Sequence, residues 1–330
     1  MSPRSSLLPF LFTAGLLAAA APLCSCRKDA QGADSGKEPP PQTAQGKPRV
    51  AVSIFPLFDV ARRIAGDRID VVLVLPPGRT EHSYDPTPKE MQKLAGARLG
   101  VAVGLDLDSW LEKIVKGAAG DGVTFLELGP RAQPRPMGKE HIGEDEAQAA
   151  SGAPDDDHHG ANDPHFWLDP VRMAMTIDSM VDAYGVLSPK DRDAGYFKGR
   201  GAEVHKALGE LHARIDARSK KWTRKSIVTF HGAFGYYASR YGLDVVAVIE
   251  PFPGKEPTAK YLAVVLDEIK KKKPAALFSE PQLDRRPAQV VADQSKLALY
   301  ELDPIGGTSG ADTYEKLIDA DTDVLEKALK

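Results

Sequence analysis

RVAVSIFPLFDVARRIAGDRIDVVLVLPPGRTEHS, residues 49–83, is the stretch whose reading decides the fold. It opens with a short apolar run at 49–54, continues with helical periodicity over 57–65, and returns to an apolar run at 69–75 before the loop that carries His82. Short β-rich runs separated by a helical segment predict parallel strands joined by crossovers. The alternation continues with strands expected at 99–103 and 123–126 and helices at 88–95 and 109–116. A second series follows, with strands expected at 226–230, 245–249, 275–278 and 297–302 and helices near 233–240, 258–271 and 286–294. The fold class implied is α/β, with two lobes built on parallel sheets.

Between the two series, residues 169–184 and then 189–222 are helical in pattern, the second opening with Ser188 as N-cap and Pro189 as the first helical residue. Roughly 30 residues at 1.5 Å each predict one rigid helix about 45 Å long that joins the lobes. Gly199, Gly201 and Gly209 lie within it, each costing on the order of 1 kcal/mol relative to alanine. The expected organisation is a first lobe at 49–187, a connecting helix at 188–222 and a second lobe at 223–330.

The 330 residues are 42% hydrophobic and 27% charged, enough to bury two ordinary cores. A formal net charge of -3 offers no basic face for phosphates, which argues against nucleic-acid binding. Arg4 precedes an apolar run at 7–23 broken by Pro9 and Gly15, the pattern of a secretory signal rather than of a membrane span. The run ends in Leu23-Cys24-Ser25-Cys26, which resembles a bacterial lipobox. A signal peptide at 1–25 and lipidation of Cys26 are therefore expected. Residues 26–48 have the composition of a flexible tether. The only two cysteines sit too close together to staple a domain.

In open parallel sheets, ligands gather beyond the carboxyl ends of the strands. His82, His231, Glu280 and Asp303 each follow an expected strand. His165 lies in Asp163-Pro164-His165-Phe166-Trp167-Leu168-Asp169-Pro170, at the entrance to the central helices, where two prolines and two aromatics restrict its conformations. Three neutral imidazoles with one oxygen donor favour tetrahedral zinc, whereas manganese prefers oxygen-rich, higher-coordinate surroundings. Four of the eight histidines (His141, His158, His159 and His165) fall within one short interval. The segment 138–162 is poor in apolar residues and reads as a mobile loop. Its His141, Asp155, Asp156, Asp157, His158 and His159 form an auxiliary set suited to gathering zinc weakly near the site.

The segments around His82, His165 and His231, with Phe278-Ser279-Glu280-Pro281-Gln282 and Leu302-Asp303-Pro304-Ile305-Gly306, resemble the zinc-binding lipoproteins of bacterial ABC importers. These belong to the metal-binding group of periplasmic solute-binding proteins. The resemblance implies Rossmann-like lobes, a cleft in which each of the first three motifs supplies one histidine, and a fourth position filled by a carboxylate or water. By resemblance Asp303 is the first choice for that position and Glu280 the second, while Glu81 and Glu250 also approach. The resemblance further implies capture of Zn2+ outside the cytoplasm, delivery to a permease with its ATPase, attachment to the membrane by the N-terminal lipid, and a monomer. Manganese or another divalent metal is the alternative cargo. A zinc hydrolase is disfavoured because no His-Glu-x-x-His helix, nucleophile elbow or phosphate loop occurs, so the chain reads as a binding protein rather than an enzyme. Surface adhesion is a further alternative that the residues neither support nor exclude.

Overall fold

The computed structural model describes residues 46–137 and 162–330. The expected leader, all but the last three residues of the expected tether, and the expected loop up to residue 161 lie outside the described residues.

Strand β1 (Arg49–Val52) shows why the opening stretch folds as a central strand. Val50 and Val52 join one apolar cluster and Ala51 another, so successive side chains fill the layers on opposite faces of the sheet. β2 (Asp70–Leu73), β3 (Ala97–Ala102) and β4 (Thr124–Glu127) complete a four-stranded parallel sheet of order β2-β1-β3-β4. β5 (Ser226–Thr229), β6 (Asp244–Val248), β7 (Leu277–Ser279) and β8 (Leu299–Glu301) repeat the plan as β6-β5-β7-β8. In each sheet the chain progresses first to one side and then to the other, which leaves a crevice at the carboxyl ends of β1 and β3 and of β5 and β7.

Helices flank the sheets where the periodicity places them. In the first half they are α1 (Phe55–Ala65), with Pro56 in its first turn, α2 (Pro88–Gln92) and α3 (Trp110–Ala119). A capping box starts α2: the Thr87 hydroxyl accepts from Glu90 N while the Glu90 carboxylate accepts from Thr87 N. The middle of the chain forms α4 (Pro170–Ala174), α5 (Ile177–Leu187), α6 (Pro189–Asp193) and α7 (Tyr196–Ser219). The second half adds α8 (Gly235–Tyr241), α9 (Ala259–Lys272), α10 (Arg286–Ser295) and α11 (Tyr314–Leu329).

The expected single connector is two helices. Gly195 adopts φ 72°, a left-handed turn that ends α6 and opens α7. The 24 residues of α7 span about 36 Å. Gly201 does not interrupt it. A Cβ there would stand 2.7 Å from Val181 Cγ2, so the glycine lets α7 press against α5. Gly199 and Gly209 also lie within the continuous helix.

A C-terminal helix, α11, extends the expected set of elements. Arg214 and Arg218 of α7 pair with Asp319, Asp323 and Glu326 of α11. Arg63 of α1 meets Glu315 at 2.8 Å, and Tyr314 N donates to Asp59 Oδ2 at 3.1 Å. The end of the chain therefore returns to the first half, and one apolar cluster runs from Val50 and Ile54 through Leu208 and Ile215 to Phe278 and Leu325. Among the described residues no helix is long and apolar enough to cross a membrane.

Because Leu208 of α7 is fully buried in that shared cluster, Leu208→Ala is expected to cost about 2–5 kcal/mol. Urea unfolding of this variant should remain one cooperative transition with a lowered midpoint. Two separated transitions would show that the halves fold independently.

Candidate metal centre

Beyond β5 the chain runs extended through His231, at φ −121° and ψ −179°, and turns at Gly232–Phe234 into α8. Glu280 follows the neighbouring strand β7, so the crevice between β5 and β7 brings the two side chains together. His231 Nδ1 donates to Glu280 Oε2 at 2.6 Å, and His231 N donates to Glu280 Oε1 at 3.2 Å.

His165 is held in the same manner by a residue next to it in sequence. Asp163 Oδ1 accepts from His165 N at 3.0 Å and from His165 Nδ1 at 2.8 Å, just before the turn Phe166–Leu168. In both rings a carboxylate accepts a hydrogen bond from Nδ1–H, so that in the neutral ring the Nε2 lone pair faces inward.

Glu81 and His82 arrive on the loop between β2 and α2. The indole Nε1 of Trp110 donates to Glu81 O at 3.0 Å, and His82 N donates to Thr80 Oγ1 at 3.4 Å. Tyr84 packs edge-on against Trp110 and stiffens the same loop.

The three rings converge. His231 Nε2 stands 3.4 Å from His82 Nε2 and 3.3 Å from His165 Nε2. A tetrahedral ion with bonds near 2.0–2.1 Å requires donors spaced by about 3.3–3.4 Å. Glu81 Oε1 completes the group, 3.8 Å from His231 Nε2 and 3.9 Å from His82 Nε2. Donor atoms of Glu81, His82, His165 and His231 all lie within 4.8 Å of one another. Glu81 is 1% exposed and its Oε1 has no hydrogen-bond partner. A buried carboxylate oxygen without a proton donor is costly unless a cation meets it, so this donor set fits a divalent metal.

The electrostatics agree. Burial raises the Glu81 carboxyl to about 7, against the opposing pull of His231. Burial alone would lower the His231 ring, but Glu280, and after it Glu81, outweigh burial and raise it to about 9. A cation bound among these groups would displace the protons they hold.

The structure brings together His82, His165 and His231 and sets Glu81 beside them. Asp303, the first choice for the fourth donor, is not in this group. Its Oδ1 accepts from Gln282 Nε2 at 2.6 Å, Ile305 N at 3.0 Å and Gly306 N at 2.9 Å, which commits it to holding the 303–307 turn. Glu280, the second choice, is occupied in orienting His231. Glu250, at the end of β6, is buried and raised to about 7 by that burial. His141, Asp155, Asp156, Asp157, His158 and His159 lie outside the described residues, as does Cys26. His205 is exposed on α7, and His212 sits against the Tyr241 ring. The orienting roles of Asp163 and Glu280 leave no pattern in the sequence. Glu81 left one signal, its place next to His82.

Two parallel α/β units with three imidazoles and a carboxylate gathered among the loops define an α/β protein with a metal-type donor cluster. The family model described as zinc-uptake complex component A, periplasmic, matches residues 50–328, and the chain belongs to that family. It is 28% identical over 289 residues to the zinc-binding lipoprotein AdcA of Streptococcus pneumoniae serotype 4, covering 87% of this chain and 55% of that protein. It is 27% identical over 267 residues to the zinc-binding protein AdcA of Streptococcus pyogenes serotype M3, covering 80% of this chain and 52% of that protein. The chain thus spans about half the length of these curated relatives. The crystal structure of ZnuA superposes with a TM-score of 0.72 at 23% identity, covering 86% of this chain and all of that one. FpvC of Pseudomonas aeruginosa in complex with Mn2+ superposes with a TM-score of 0.73 at 23% identity, over 86% of this chain and 99% of that one. At these identities the structures establish the fold alone. The family read from the five motifs and the two-lobed α/β fold are both borne out.

With His231 raised to about 9 and Glu81 to about 7, zinc affinity should fall as pH drops from 9 to 6. Near pH 7 about one to two protons should leave per zinc bound, measurable by calorimetry in buffers of different ionisation enthalpy. In the metal-free protein the raised ring contributes stability that is fully present below its ordinary 6.5 and is lost as pH rises through about 9. Glu81→Gln should weaken zinc binding, whereas Asp303→Asn should lower thermal stability and leave affinity little changed. The reverse pattern would restore Asp303 as the donor.

Proposed function

We propose that this protein captures zinc outside the cytoplasm and hands it to an ABC-type permease, with the ion as cargo held by His82, His165, His231 and Glu81. The observation that supports this most is the spacing of the Nε2 atoms, 3.3 and 3.4 Å, around one buried carboxylate oxygen that lacks a donor. Three imidazoles and one carboxylate are a borderline-soft set suited to zinc. Manganese asks for more oxygen donors than the cluster holds. The names of the AdcA relatives are in keeping with this cargo. An iron ABC transporter substrate-binding lipoprotein, MtsA of Streptococcus pyogenes serotype M1, is 26% identical over 260 residues, so metal choice is read from the donors and not from kinship.

Binding rather than turnover is the role these residues suit. His82 is the most accessible of the three rings, its side chain 14% exposed, while His165 and His231 are nearly sealed. An ion enters and leaves past His82. The Leu23-Cys24-Ser25-Cys26 sequence is consistent with a lipid on Cys26 that keeps a monomeric binding domain at the membrane surface, beside its permease and ATPase. The segment with His141, His158 and His159 would gather zinc near the entrance.

Metal content and zinc affinity of the purified protein, before and after His231→Ala, test the proposal. The parent should bind one zinc. The variant should lose more than the roughly 10–100-fold that removal of an outer-shell partner costs. A parent that takes up no zinc, or a variant of unchanged affinity, would defeat the reading.

A further inference from the structure

We infer that Tyr236 is a positioning residue for the metal centre, acting through Asp163 to hold His165 in the frame set by His231. The inference rests on the reading of His82, His165 and His231 as metal donors.

Tyr236 lies five residues after His231, on α8, and is 1% exposed. Its hydroxyl donates to Asp163 O at 2.8 Å and accepts from Arg135 N at 3.0 Å, two main-chain groups far from it in sequence. Arg135 Nε in turn donates to Asp163 Oδ2 at 3.1 Å, and its guanidinium lies 5.0 Å from the centre of the Tyr236 ring. Asp163 N donates to Arg135 O at 3.0 Å, which closes the unit.

The Asp163 carboxylate is thereby divided. Oδ2 is taken by Arg135, and Oδ1 is left to accept His165 Nδ1 at 2.8 Å. With the main chain pinned by the tyrosine hydroxyl and one carboxylate oxygen committed to arginine, the ring has one orientation that keeps its Nδ1 bond. That orientation points Nε2 at His231. Because His231 and Tyr236 belong to one turn and helix, donor and clamp move together. Arg240, further along α8, adds a two-nitrogen grip on Asp169 with contacts of 2.8 to 3.0 Å, and Trp167 Nε1 donates to Pro304 O at 2.7 Å. The stretch 163–170 is therefore fastened to the second half of the chain, and the 3.3 Å separation of His165 and His231 is set by protein contacts. The Glu81–His82 loop, anchored by Trp110 and Thr80 of the first half, supplies the remaining two donors.

Tyr236→Phe keeps the ring and removes the hydroxyl. Tyr237→Phe is its control, since that hydroxyl is equally buried but pairs with Thr322 Oγ1 at 2.8 Å in α11. In the full chain, zinc affinity would be read by competition with a chelator, and site geometry by the visible absorption of the cobalt(II) form. Tyr236→Phe should weaken zinc about tenfold, the scale of a lost outer-shell partner, and should reduce the intensity of the tetrahedral cobalt bands. Tyr237→Phe should lower melting temperature to a similar degree and leave affinity and spectrum at parent values. Arg135→Lys should recover part of the affinity lost in Arg135→Met. Equal affinities and spectra for the two tyrosine variants, with His165→Ala strongly impaired, would overturn the positioning role alone. Unchanged zinc affinity in His165→Ala would overturn the donor assignment and the positioning role together.

Discussion

Much of the site depends on two hydrogen bonds from imidazole to carboxylate, His231 to Glu280 and His165 to Asp163. A neutral histidine presents one lone pair, and its direction is settled only when the other nitrogen is held. Each carboxylate also accepts from the backbone N–H of the histidine it orients. Ring and main chain are thus fixed by a single acceptor group. The nearly complete burial of both rings makes these bonds strong and makes any alternative orientation expensive.

The fold provides those pairs through its strand order. Placing β5 beside β7 sets their carboxyl ends side by side, and the residues just past those ends are His231 and Glu280. The stretch 163–170 carries His165 and is gripped by Tyr236, Arg240 and Pro304 from the second half. With α7 and α11 packed into one apolar cluster that reaches both sheets, the halves share a core. Such an arrangement favours local loop adjustment over wide domain rotation, because a large rotation would have to open that core.

Charge accounts for the remaining features of the cluster. Glu81 is buried without a hydrogen-bond donor to its Oε1, and His231 is pressed toward its charged form by Glu280 and Glu81. In the absence of metal, protons compensate this negative field. A divalent cation bound there would replace them and meet all four donor atoms at once.

The amino-acid sequence by itself determined the alternation of strands and helices, the two-sheet architecture, the family and the three histidines, because each is written in local periodicity or in contiguous motifs. It placed the ligand region by the rule of strand ends, whereas the capping of α2 by Thr87 and of α9 by Thr258 came from the structure. The break between α6 and α7 came from the left-handed backbone at Gly195, and the tight seat of α7 at Gly201 came from its close approach to Val181. Which carboxylate meets the histidines was also a tertiary decision. Asp303, Glu280, Glu81 and Glu250 all follow strands, and only their surroundings separate an oxygen tied to amides, one tied to an imidazole and one left bare. Hydrogen-bond partners from distant segments make that distinction, and distance in space is the quantity a linear pattern does not encode.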